Sequence, residues 1–339
     1  MARITSSAIL LLPALMAASI LAATPSKKPQ RPVHTYSIVA RDPVTGDLGV
    51  AVQSHWFSVG SIVTWARAGV GAVATQSFVQ PGYGPRGLEL MVSGLSAPQA
   101  LQALLTVDDS AAVRQVAMVD AAGRVAAHTG DKCIRYAGHH TGDGYSVQAN
   151  MMLTDRVVPA MARAFEAAEG TLADRLLTAL EAAEAAGGDI RGRQSAAMLI
   201  VRGQPTGRVW EDTLVSLRVE DHPEPLPELR RLLTVQRAYE AMNAGDVAIE
   251  HGDAAAAMRH YSAAAALLPH SLEVRYWQGI TLATSGQLEQ ALPILREVFA
   301  ADIHWVELTR RLIEVDIIPN TDEGQRLLQR ILAAAPEQE

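Results

Sequence analysis

Laid over itself with an offset of 34 residues, the C-terminal part of the chain repeats: Gly252 falls on Gly286, Ala257 on Ala291, Tyr261 on Leu295 and Asn243 on Trp277. A self-match at a fixed period of this size demands units that cannot bury their apolar faces alone and must stack on neighbours. The repeating region is almost wholly helical in its periodicity. It begins after DHPEPLPELR, whose three prolines mark a change in character. Only two units are clear, whereas about three are wanted for independent stability. The remaining chain must therefore cap them, or they must pack on what precedes.

What precedes is different. YSIVAR and LGVAVQS are short β-branched runs separated by DPVTGD, a turn cluster holding Pro43 and Gly46, so they predict an antiparallel hairpin. GVGAVATQ and VRQVAMVDAAGRVAAHTG repeat the pattern, the second turning at Ala121, Ala122 and Gly123, and QSAAMLIVRG adds a further strand. Between them PRGLELMVSGLSAPQALQALLTVDD spaces apolar residues at three and four and breaks at Gly94, giving two helices with Ser96 as N-cap of the second. The stretch from Val157 to Ala186 is helical by the same test. Hairpins and helices in separate blocks, rather than strict alternation, predict an α+β layout.

At 339 residues the chain has room for two cores, and with 49% hydrophobic against 19% charged residues it reads as folded protein. The net charge of −7, with acidic residues scattered, offers no footprint for nucleic acid. Arg3 followed by the apolar run Ala8–Ala23 and the polar TPSKKPQRP is a secretory signal pattern, which predicts a periplasmic or secreted protein. The competing reading, an uncleaved membrane anchor, is weakened by Pro13, by Ser19 and by a run shorter than the ~20 apolar residues of a span. Cys133 is the only cysteine, so no intramolecular disulfide can form. The expected division is a signal peptide over 1–23, a linker or propeptide over 24–34, a first domain over 35–220, a linker over 221–230 and a helical domain over 231–339.

TYSIVARDPVTGDLGVAVQS, WARAGVGAVATQ, YGPRGLEL, AGHHTGDGYSVQAN and RGRQSAA, in that order over residues 35 to about 203, together resemble the domain of unknown function 1028 family. The resemblance implies the fold of the N-terminal-nucleophile (Ntn) hydrolases, a four-layer αββα sandwich. The A-x3-Y run Ala257–Tyr261, with Pro269 behind it, resembles the second helix and trailing turn of the tetratricopeptide family, over about residues 238–305. That second resemblance implies a surface for a peptide or a second copy of the chain. An Ala-rich helical hairpin without a groove is the plainer alternative.

The first resemblance gives Thr35 a role. In the Ntn superfamily the nucleophile is a Thr, Ser or Cys at the mature N-terminus, and its own α-amine acts as general base. A free amine has a pKa near 7.7 to 8.0, within reach of the operating pH. An internal threonine has only an amide, so the role requires cleavage of the bond between His34 and Thr35, and a signal-peptidase cut near Ala23 leaves eleven residues in front. Thr35 as the ordinary first residue of a buried strand stays open.

The same resemblance implies polar groups around the nucleophile. Ser54 and His55 close the second strand, Gln76 ends GVGAVATQ, and Asn150 is a candidate oxyanion donor. Ser195 in RGRQSAA is a candidate supporting hydroxyl. Proteasome β subunits place a lysine near the threonine, whereas here Lys132 is the only lysine of the domain, which leaves Arg67 as the candidate positive charge.

No cofactor is expected. His128, His139, His140 and Asp143 lie close together but lack the spacing of a metal motif. No G-x-S-x-G elbow is present, and AGVGAV precedes no phosphate-binding helix. The expected chemistry is hydrolysis of a small amide or acyl-amino compound; the alternative is a noncatalytic binding protein that uses the first domain as scaffold.

Overall fold

The computed structural model describes residues 35–336. The leader, the segment 24–34 and the bond preceding Thr35 lie outside the described residues.

β1 (Thr35–Arg41) and β2 (Leu48–Ser54) pair antiparallel over their whole length, from Thr35 against Ser54 to Arg41 against Leu48. The turn between them is held by Asp42, whose carboxylate accepts from the backbone N–H groups of Val44 and Thr45, and it closes at Gly46 with φ +79°. A short helix α1 (Gly60–Val63) leads into the hairpin of β3 (Thr64–Arg67) and β4 (Gly71–Ser77). Two helices follow, α2 (Tyr83–Val92) and α3 (Ala97–Thr106), the second started by a full capping box between Ser96 and Gln99 as its sequence predicts. β5 (Arg114–Asp120) and β6 (Val125–Thr129) form the next hairpin.

The Gly-rich stretch AGHHTGDGYSVQAN is a hairpin of β7 (Gly138–Gly142) and β8 (Tyr145–Ala149). The helical stretch 157–186 is two helices, α4 (Val157–Ala167) and α5 (Leu172–Ala185), because Gly170 at φ +96° and the Thr171–Asp174 capping box restart the helix. β9 (Ser195–Val201) and β10 (Thr213–Val219) complete the strands.

The strands form two antiparallel sheets, ordered β10-β9-β2-β1-β8-β7 and β3-β4-β5-β6. Side chains alternate across each strand. Tyr36, Ile38 and Ala40 of β1 therefore join Leu176, Leu177 and Leu180 of α5 in one core, while Val39 meets Ala72, Ala74, Ala117 and Val119 of the smaller sheet in another. A third core joins Val73, Val116 and Met118 to α2 and α3. The three leucines are fully buried, and each contributes on the order of 2 kcal/mol by leaving water.

The rest of the described chain is helical: α6 (Pro225–Glu250), α7 (Ala254–Leu267), α8 (Leu272–Thr284), α9 (Leu288–Ala301), α10 (His304–Arg311) and α11 (Asp322–Leu332). The segment 221–230, expected to be a linker, holds the first turns of α6, with Pro225 at the helix start where its missing N–H costs nothing. α6 buries two different faces. Leu226, Leu229 and Leu233 pack on the core beneath the six-stranded sheet, whereas Ala238, Met242 and Gly245 face away from them, about 160° around the helix at 100° per residue, toward α7.

The 34-residue offset is visible in space. Gly252 and Gly286 both close a helix at positive φ, +75° and +80°. Ala257 and Ala291 are both fully buried. Gly245 lies against the Tyr261 ring as Gly279 lies against Leu295, so close that a Cβ would meet them at 2.9 and 2.8 Å. The last unit is capped: Val306, Leu312, Ile318, Leu328 and Ile331 of the closing segment share the core of α8 and α9. No helix among the described residues is long and apolar enough to cross a membrane.

Candidate functional site

Between the two sheets the inward residues change from apolar to polar along the strands. β1 presents Thr35 and Ser37 before Val39, β2 presents Ser54 after Val52, and β4 presents Gln76 after Ala74. β5 adds Gln115 before Ala117, and the β8 strand and its end add Gln148 and Asn150. All of these polar residues are fully buried. Buried polar groups require partners, and most here have them.

Thr35 begins the inner strand β1. Its Oγ1 donates to Ser54 Oγ at 3.1 Å, and its backbone carbonyl accepts from Gln76 Nε2 and from the Asn150 backbone N–H, both at 3.1 Å. The Asn150 side chain does not point at Thr35 through any of these bonds: its Nδ2 donates to Gln115 Oε1 at 2.8 Å. Gln76 Nε2 reaches the same oxygen at 2.7 Å, and Gln76 Oε1 accepts from Ser37 Oγ at 2.6 Å. Gln115 Nε2 in turn donates to the carbonyls of Ala149 and Gly138 at 2.9 and 3.1 Å and to Thr129 Oγ1 at 2.9 Å. One amide thus joins the end of the smaller sheet to the end of the larger.

The structure brings Thr35, Ser54, Gln76 and Asn150 together. Ser195 stands beside Ser54 in the sheet register, where its hydroxyl donates to the Trp56 carbonyl and accepts from the Val59 N–H, which fastens the chain after β2. His55 is exposed at the rim and its backbone N–H donates to Asp189 Oδ2 at 3.3 Å. Arg67 is not brought in. It pairs with Gly71, at the opposite end of β4 from Gln76, about 16 Å away at ~3.3 Å per strand residue, and it is exposed.

Gln115, Gln148 and Ser37 were missed in the sequence, where a glutamine in an alternating strand reads as solvent-facing. The one available signal was that polar residues sit at the same end of five strands.

Burial pushes the Cys133 thiol up, only partly offset by the Ser77 hydroxyl and the Gly130 N–H, so it stays protonated at neutral pH. Tyr36 is likewise pushed well up, by burial and then by the Glu184 carboxylate that its hydroxyl meets at 2.6 Å, so it acts as a hydrogen-bond donor. His128 and His139 are taken up by the Ala111 carbonyl and Thr129, and among the described residues no three metal-ligating side chains converge.

Comparison with known proteins bears on both halves. A model described as a family of unknown function, DUF1028, matches residues 35–229, and a tetratricopeptide-repeat model matches residues 248–303. Among solved structures, the chain is similar to protein SPO2555 from Silicibacter pomeroyi, itself assigned to DUF1028. The identity is 32%, with 59% of this chain and 88% of that one covered and a TM-score of 0.53. No curated protein matches.

Proposed function

We propose that this chain, which belongs to the DUF1028 family of unknown function, is an exported amide-bond hydrolase of the N-terminal-nucleophile type. The fold reading is the four-layer αββα sandwich, supported by helices α4 and α5 on one outer face, α2 and α3 on the other and two packed sheets between. The observation that carries the activity is the place of Thr35: first in an inner strand, hydroxyl on Ser54, among buried amides.

Cleavage before Thr35 would turn its amide into an amine. That amine accepts the proton of Oγ1 as the oxygen attacks the substrate carbonyl carbon, and it returns the proton to the departing nitrogen. The amide C–N bond breaks and an ester to Thr35 forms; water then hydrolyses the ester, restoring the hydroxyl. Ser54 orients the nucleophile. Backbone N–H groups or the Asn150 amide offer the oxyanion its hydrogen bonds, a contribution worth about 3 to 4 kcal/mol where such donors have been removed. The apolar run 8–23 supports export.

The test is to sequence the N-terminus of the secreted protein and assay it on small amides and acyl-amino acids. A chain starting at Thr35, active as Thr35→Ser and at least about a thousandfold weaker as Thr35→Ala, is expected. A chain that retains the residues before Thr35, with Thr35→Ala equal to wild type, removes the mechanism. The tetratricopeptide match carries a second role, binding of a peptide partner by α6 to α9, whether or not the first region is catalytic.

A further inference from the structure

Four connections meet at the end of the strands farthest from Thr35, about 20 Å along β1 at ~3.3 Å per residue. They are the β3–β4 turn, the β5–β6 turn, the corner between α2 and α3, and the loop 202–212 between β9 and β10. Each is tied to a neighbour. Gly69 N–H donates to the Arg202 carbonyl at 3.0 Å, and Gly69 passes so near Pro205 that a Cβ would meet its ring at 2.8 Å. Ala121 N–H donates to the Val70 carbonyl at 2.9 Å, and Ala97 N–H, at the start of α3, donates to Asp120 Oδ2 at 3.0 Å. Between these connections lies an open cavity of about 700 Å³, of the size and preformed character of a small-molecule site. Met91, Leu95, Val201 and Pro205 line it, and so do Val92 and Val209, which are 50% and 79% exposed. Trp210, next to Val209, is 79% exposed as well. Large apolar side chains left in water around a cavity mark a place where something apolar binds.

Four charged residues line the same cavity, and three of them are engaged within the protein. Asp120 accepts from the Ala122 and Arg124 backbone N–H groups, both at 3.0 Å, and from Arg124 Nε at 2.8 Å. Asp212 Oδ1 accepts from the Thr206 backbone N–H and hydroxyl, both at 2.8 Å. Arg67 is the exception: it is exposed, and its guanidinium has no hydrogen-bond or ion-pair partner among the described residues. A guanidinium meets a carboxylate with two parallel N–H bonds. A dianion would bring its second charge into a cavity that Asp120 and Asp212 also line, so a single negative charge suits the site better.

We propose that this cavity is a binding site separate from Thr35 and that its ligand is a small apolar monocarboxylate, with the acid group on Arg67 and the apolar body against Met91 and Leu95. None of Thr35, Ser54, Gln76 and Asn150 lines the cavity, so the proposal stands apart from the hydrolase reading. It also gives Arg67, which the register of β4 keeps away from Gln76, a place of its own.

The experiment compares hexanoate with hexanamide by calorimetry on the full chain carrying Thr35→Ala, so that the amide is not turned over. The two probes have the same apolar body and differ in the charge of the end group. The acid is expected to bind roughly ten- to a hundredfold tighter than the amide, the range of a hydrogen-bonded charge. Arg67→Gln should remove that preference and Arg67→Lys should keep part of it. Val209→Glu, at an exposed position where folding is not at stake, should weaken the acid and leave the amide unchanged. Equal affinity for acid and amide, no binding of either, or an unchanged preference in Arg67→Gln each overturns the proposal, and so does an equal loss of both ligands in that variant. Undiminished hexanoate binding in Val209→Glu would place the acid elsewhere and do the same. Wild type and Thr35→Ala should bind hexanoate alike; a difference between them would put the acid at Thr35 and sink the separate site, whatever becomes of the hydrolase.

Discussion

Asn150 Nδ2 donates to Gln115 Oε1 at 2.8 Å across the gap between the two sheets. The residue whose amide was expected to serve the reaction is thus oriented by a residue of the opposite sheet. The larger sheet supplies Thr35, Ser54 and Asn150, the smaller supplies Gln76 and Gln115, and the site exists only where the two are docked.

Gln115→Leu is therefore expected to be among the most destabilising changes in the protein. It leaves the amides of Gln76 and Asn150 and the carbonyl of Ala149 short of a partner, and each buried group so stranded costs about 1 to 3 kcal/mol. Gln53 is the contrast. It is fully buried on the other face of β2, and neither its amide nitrogen nor its amide oxygen has a hydrogen-bond partner among the described residues, so Gln53→Met should be neutral or stabilising by up to about 1 kcal/mol. Urea unfolding of both variants checks this; equal losses would mean that the amide network contributes nothing special.

Gly245→Ala and Gly279→Ala should destabilise the helical region although alanine is the better helix former by about 1 kcal/mol. The added methyl collides with the buried Tyr261 ring or Leu295, and such overpacking costs about 1 to 3 kcal/mol. Gly138→Ala, with nothing within 4 Å of the new atom, should change stability by less than about 0.5 kcal/mol. Thermal melts followed by circular dichroism rank the three; a milder effect at Gly279 than at Gly138 would contradict the packing.

Cutting the chain at two places distinguishes α6 from a linker. A chain ending near residue 250 keeps Leu233 in its core, Gln236 on the Leu214 carbonyl and Arg237 on Asp174, whereas one ending at residue 230 loses all three. Loss of the leucine alone costs about 2 to 5 kcal/mol, so the shorter chain should melt well below the longer. Equal melting temperatures would restore the boundary expected at 230.

Acid should weaken the corner that joins α2 to β5 through Asp108. Burial by itself raises this carboxyl, but the Arg114 guanidinium at 2.8 Å, the Ser110 N–H and the Tyr83 hydroxyl together hold it below its ordinary 3.8. A carboxyl depressed on folding stabilises the fold above its unfolded pKa, and the contribution vanishes as pH falls through the folded value. The stability gap between wild type and Asp108→Asn should be full at pH 7 and shrink below about pH 4. Urea titrations at several pH values measure it; a gap that does not change between pH 7 and pH 3 would show that the pair is not responsible.

Local chemistry was legible wherever it is local. Pro43 and Gly46 announced the first turn, Ser96 its helix, and the spacing of Gly252 and Gly286 the repeat, because each acts through its own backbone. Arg67 misled because its relation to Gln76 depends on the register of β4, which sets the two at opposite strand ends. Gln115 was silent for a similar reason: only the docking of a second sheet makes an alternate strand position an inside one. The prolines of DHPEPLPELR were read as a break, yet Pro225 and Pro227 fall in the first turn of α6, where proline is tolerated as a start.

The two-faced burial of α6 sets a phase. Every residue inserted between Leu233 and Ala238 would turn the repeats by about 100° about the helix axis and shift them about 1.5 Å along it, relative to the sheets that hold Leu226 and Leu229. One added residue would swing Ala238, Met242 and Gly245 away from their present heading, and two would nearly reverse it. Only insertions close to whole turns, such as seven or eleven residues, would return the repeats to it. The direction in which this protein presents its helical surface is written in the count of residues along a single helix.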